Sequence, residues 1–113
     1  MRPPATLPDD ALQLLDDLFD ETFSGKKTVL LVEDEEPLRR VLRELLEREG
    51  FTVVEAADGV QALDEVDRNA PDVLVLDLNL PRLDGYGVLN HLRARPSTAR
   101  LPVIVLTAKG DED

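Results

Sequence analysis

The chain has no cysteine and no tryptophan, and only one histidine, one tyrosine and three phenylalanines among its 113 residues. Without cysteine, disulfides and thiolate metal sites are excluded, and the cytoplasm is the expected compartment. Aromatic residues make up 4% of the chain against 42% hydrophobic residues in all, so its core has to be built from Val, Leu, Ile and Ala. No run of about 18 uncharged apolar residues occurs, so no transmembrane helix and no membrane partner are expected. The opening MRPPATLPDD has one basic residue and no apolar stretch, unlike a secretory leader. Basic residues are scarce as well, 13 against 24 acidic, for a net charge of −11. Such a chain repels phosphate backbones, so direct nucleic-acid binding is not expected. Cations or a basic protein surface suit it better. The plain alternative is that most of these carboxylates only keep the chain soluble, and position must separate the two.

What is there reads as one small domain behind a leading segment. Residues 1–27 form that segment, with three prolines in the first eight positions and then a helical spacing of Leu12, Leu15, Leu18, Phe19 and Phe23 over residues 9–23. Residues 28–113 alternate. Thr28–Glu33 (TVLLVE), Phe51–Ala56, Asp72–Asp77 (DVLVLD) and Pro102–Thr107 (PVIVLT) are short aliphatic runs of the kind found in strands buried on both faces. Between them lie amphipathic patterns. Leu38, Val41, Leu42, Leu45 and Leu46 follow Pro37 and end at Gly50; Val60, Ala62, Leu63 and Val66 end before Pro71; a third helix spans Asp84–Arg95. Strict alternation predicts an α/β fold with parallel strands joined by right-handed crossovers.

In an open parallel sheet, ligands bind outside the carboxyl ends of the strands. The first strand runs into Glu33-Asp34-Glu35-Glu36, the third ends in Asp77 and the fourth in Thr107. If the first and third strands are neighbours, Asp34 and Asp77 share one pocket. Carboxylates gathered without His or Cys suit a hard cation such as Mg²⁺, and a carboxylate can attack phosphorus to form an aspartyl phosphate. The competing explanation is that acidic residues after strands are ordinary helix N-caps and loop residues.

The strings VLLVEDEE, LVLDLNLPRLDG and VIVLTA resemble the receiver domain of two-component response regulators over about residues 27–113. The turn Ala57-Asp58-Gly59 followed by Ala62-Leu63 is similar to the start of that family's second helix. The resemblance implies a flavodoxin-like, doubly wound parallel sheet of strand order 2-1-3-4, to which the spacing over residues 9–23 adds an extra N-terminal helix. It implies phosphorelay signalling: a histidine kinase or phosphotransfer protein donates a phosphoryl group to Asp77, the product being a phosphoprotein and the module not an enzyme beyond its own phosphorylation and dephosphorylation. Mg²⁺ would be held by Asp34, Asp77 and the backbone carbonyl of Asn79, with Glu33 acting indirectly, and the Thr107 hydroxyl would bind the phosphoryl group. Leu80 and Leu83 stand where the family usually has Met, a volume-similar change. Pro81, Asp84 and Gly85 read as loop geometry and a helix cap.

Two departures matter. The family continues past this threonine with a helix, a strand and a helix, and carries its phosphoryl-binding lysine there. The expected reading is therefore a receiver incomplete at its C-terminus, with no such lysine in the chain; Lys109, two residues after Thr107, is read as a solvated loop residue. Two alternatives accordingly stay open: a receiver-like interaction module that is not phosphorylated, or a fragment of a larger response regulator. The helix over residues 9–23 has three readings: a cover for the sheet face that the missing last helix would occupy, a pairing helix of a homodimer, or a linker. His91 reads as a surface helix residue.

Overall fold

The computed structural model describes residues 27–106. They form β1 (Thr28–Val32), α1 (Glu36–Arg48), β2 (Thr52–Ala56), α2 (Gly59–Asn69), β3 (Val73–Asp77), α3 (Gly85–Ala94) and β4 (Val103–Leu106). The expected helix over 9–23, Thr107 and Lys109 lie outside the described residues. The four strands make one parallel sheet in the order β2-β1-β3-β4, as the resemblance implied.

Each strand begins or ends about one residue inside its expected limits, for local reasons. Pro102 has no N–H to give the ladder, yet its carbonyl accepts from Leu74 N–H at 3.0 Å. Asp72, just before β3, is tied twice to the start of β1: its N–H donates to Thr28 O and its carboxylate accepts from Thr28 N–H, both at 2.8 Å.

Alternation along the strands sorts the core into two layers. Val29, Leu31, Val73, Val75 and Ile104 face α1, which supplies Leu42 and Leu46. Leu30, Val32, Leu74 and Leu76 face α2 and α3, which supply Ala62, Val66, Val88 and Leu92. All five residues of β3 are buried. Two residues expected on apolar helix faces stay outside: Val41 is 41% and Val60 37% exposed. The sheet covers a stripe centred on Leu42 and Leu46 in α1 and on Ala62 and Val66 in α2, and Val41 and Val60 lie beyond its edge.

Helix ends follow their capping chemistry. α1 closes with Gly50 at φ +98°, where glycine carries no Cβ penalty. Phe51 N–H then reaches Leu46 O at 3.2 Å and Gly50 N–H reaches Glu47 O at 3.0 Å, the paired bonds of a Schellman motif. Asp58 caps α2 by accepting from Gln61 N–H at 2.8 Å, and Asp84 caps α3 by accepting from Gly87 N–H at 2.9 Å. Arg82, with φ +67°, lies in the loop after β3 and reaches the Asp58 carboxylate at 3.3 Å, tying that loop to the start of α2.

Candidate functional site

Strand order reverses between β1 and β3, which are hydrogen-bonded neighbours with Val32 opposite Leu76. The residues that follow Val32 therefore leave the sheet beside Asp77, and the expected convergence is met. One oxygen from each of Glu33, Asp34 and Asp77 lies within 4.8 Å of the others. Glu33 and Asp77 are each 1% exposed, whereas Asp34 faces solvent.

Backbone amides orient the two buried carboxylates. Glu33 Oε2 accepts from Glu35 N–H at 3.0 Å, and Asp77 Oδ1 accepts from Asn79 N–H at 3.0 Å. These bonds do not offset the cost of crowding acids in a dry place. Burial first, then the hydrogen bond and negative charge of Asp77 and the contact with Asp34, push the Glu33 carboxyl from its ordinary 4.5 to about 7, against the opposing pull of the Glu35 N–H. Crowding that raises the Glu33 carboxyl this far is a cost that a bound cation would relieve. Its donor set is all oxygen, which fits a hard divalent ion such as Mg²⁺.

α3 starts tight against the end of β3. A Cβ on Gly85 would stand 2.5 Å from Leu78 Cα and 2.9 Å from the carbonyl oxygen of Asp77, so only glycine lets the helix start this close. Asn79 is exposed on the same rim, two residues past Asp77. Leu80 is buried and Leu83 packs against the α2/α3 layer, consistent with their standing in for Met. His91 is exposed on α3.

One residue at this site was not singled out from the sequence. Arg39, one turn into α1, donates from Nη1 to the backbone carbonyl of Glu33 and from Nε to Glu55 Oε1, both at 2.8 Å. Glu55 is also held by Arg43 at 2.7 Å. Its carboxyl is subject to desolvation, which alone would raise it, but the two guanidinium groups outweigh that and hold it below the usual range. The available signal was Glu55 itself, a charge inside the strand TVVEA that demands a partner, with Arg39 and Arg43 spaced one helical turn apart.

The family model for the response regulator receiver domain matches residues 29–113. The chain belongs to that family. This receiver domain is 48% identical over 84 residues to the transcriptional regulatory protein CpxR of Escherichia coli, covering 74% of this chain and 34% of CpxR. It is 42% identical over 86 residues to the alkaline phosphatase synthesis transcriptional regulatory protein PhoP of Bacillus subtilis, covering 76% and 35%. The chain spans about a third of the length of such curated relatives. Among solved structures it is similar to the receiver domain of the sensor histidine kinase PA1611 of Pseudomonas aeruginosa, with a TM-score of 0.73, 35% identity, and coverage of 78% of this chain and 72% of that one. That structure has a magnesium ion coordinated in its active site cleft. The receiver belongs to two-component phosphorelay signalling, as the motifs implied. No helix among the described residues is long and apolar enough to cross a membrane.

Proposed function

We propose that this receiver accepts a phosphoryl group on Asp77 from a phosphohistidine of a histidine kinase or phosphotransfer protein. The observation that carries the reading is the triad of Glu33, Asp34 and Asp77 oxygens gathered within 4.8 Å at the switch point of the sheet. An Asp77 carboxylate oxygen attacks phosphorus, an O–P bond forms, and the N–P bond of the donor breaks. The electron pair stays with the imidazole nitrogen, which takes up a proton. Attack of water on the aspartyl phosphate later restores the carboxylate and releases inorganic phosphate.

The chain's own groups do four things here. The Asn79 N–H fixes the orientation of the Asp77 carboxylate. Burial of Glu33 and Asp77 keeps bulk water away from the inner side of the cluster. Asp34, the exposed member, together with Asp77 and the Asn79 carbonyl, would hold Mg²⁺, with Glu33 acting behind them. Bound there, the ion neutralises the clustered charge and that of the incoming phosphoryl oxygens. Thr107 is proposed to supply a hydroxyl to the phosphoryl group.

Incubating the chain with Mg²⁺ and acetyl phosphate, then reading intact mass, tests this. One added phosphate is expected in the wild type and none in Asp77→Asn. A wild-type chain that gains none would decide for an interaction module that does not carry phosphate.

A further inference from the structure

Resting on the reading of Glu33, Asp34 and Asp77 as the Mg²⁺ site, we infer that Arg39 is a positioning residue for metal binding, holding the acidic turn after β1 in place through the backbone of Glu33. The turn between β1 and α1 has to present Glu33 inward and Asp34 outward within a single step of chain. Glu33 is the residue where that divergence begins, and its backbone is fixed on both sides. Its N–H donates to Ala56 O of β2 at 3.1 Å, and its carbonyl accepts from Arg39 Nη1 at 2.8 Å. Arg39 is itself braced, because its Nε is locked on Glu55 of β2 and its side chain is only 16% exposed. α1, β2 and the acidic turn thus meet at one guanidinium, whose fork can serve a carbonyl and a carboxylate together.

The guanidinium bonds a carbonyl of the turn, and its ion pair is with Glu55. Its charge beside an acidic cluster would by itself repel a second cation. Charge and position therefore predict opposite signs. If Arg39 acted only as a nearby positive charge, removing it would tighten Mg²⁺ binding. As a positioning residue, its removal lets the turn relax and weakens binding, by about tenfold or more, as for supporting residues behind other metal sites.

Calorimetric Mg²⁺ titration of the wild-type chain and of Arg39→Gln, Arg39→Lys and Arg43→Gln separates these outcomes. Arg43 shares the bond to Glu55 from the next turn of α1, so Arg43→Gln loosens the same ion-pair group without freeing the Glu33 carbonyl. The expected result is a Kd raised about tenfold in Arg39→Gln, a smaller rise in Arg39→Lys, and no change in Arg43→Gln. Equal or tighter binding by Arg39→Gln, or an equal loss in Arg43→Gln, overturns the inference. If Arg39→Gln fails to fold by circular dichroism, Arg39→Lys decides: weaker binding supports the role and unchanged binding overturns it. A wild-type chain that binds no Mg²⁺ would overturn the metal-site reading itself.

Discussion

Removing divalent cations and raising the pH should cost this domain stability through one side chain. Glu33 holds its proton more tightly when folded, with a pKa of about 7 against an ordinary 4.5. The stability it contributes is therefore fully present below about pH 4.5 and is lost as pH rises through about 7. At about 1.36 kcal/mol per pK unit the whole loss is about 3 kcal/mol, of which linkage places about 2 kcal/mol between pH 5.5 and pH 8. That is a large share of the stability of a small domain. Urea unfolding in the presence of a chelator, at those two pH values, measures it. Far-UV circular dichroism is the suitable probe, because the chain has no tryptophan and its single tyrosine, Tyr86, is 63% exposed. Glu33→Gln stays neutral throughout, keeps an acceptor for the Glu35 N–H, and should lose most of the pH slope while becoming the more stable protein at pH 8. An Glu33→Gln protein with the same slope as the wild type would refute the assignment of the proton to Glu33.

Three further outcomes follow from the same contacts. Asp77→Asn removes the negative neighbour that helps hold the Glu33 proton, so the pH midpoint of the stability loss should move down toward 4.5, read from the same unfolding series. Gly85→Ala places a methyl against Leu78 Cα and the Asp77 carbonyl; a loss of about 1–3 kcal/mol in unfolding free energy is expected, together with slower phosphorylation by acetyl phosphate under the proposed function, because Asp77 is displaced. Asp58→Ala loses the cap of α2 and the Arg82 ion pair, and should cost about 1 kcal/mol in thermal or urea unfolding, almost all of it from the cap because the ion pair is solvent-exposed on the Arg82 side.

Much of the fold was legible because buried parallel strands announce themselves as unbroken aliphatic runs. VLLV and VLVL could hardly be anything else between amphipathic segments, and the acid that ends DVLVLD stood out against them. The pairing of β1 with β3, on which the whole site depends, came from the family resemblance rather than from periodicity, since no local pattern records which strand lies beside which. Two features could not be read in advance. The proton on Glu33 depends on burial to 1% exposure and on the position of Asp77, 44 residues away in the chain, both products of packing. The bond from Arg39 to the Glu33 carbonyl, unlike its pairing with Glu55, depends on where α1 comes to rest against the turn after β1. Val41 erred for a similar reason: helical spacing marks an apolar stripe, but the width of stripe that the sheet covers is a tertiary property.

β3 is the strand that ends in Asp77, is hydrogen-bonded to neighbours on both edges, and is buried at every position. Its amides are the natural candidates for the slowest hydrogen exchange in the domain, while the acidic turn and the Asn79 loop sit on strand ends where opening costs less. Asp77 is thus anchored in the most completely buried strand, while Asp34 and Asn79 stand exposed on the loops beside it. To shift β3 the domain would have to break ladder bonds on both of its edges at once.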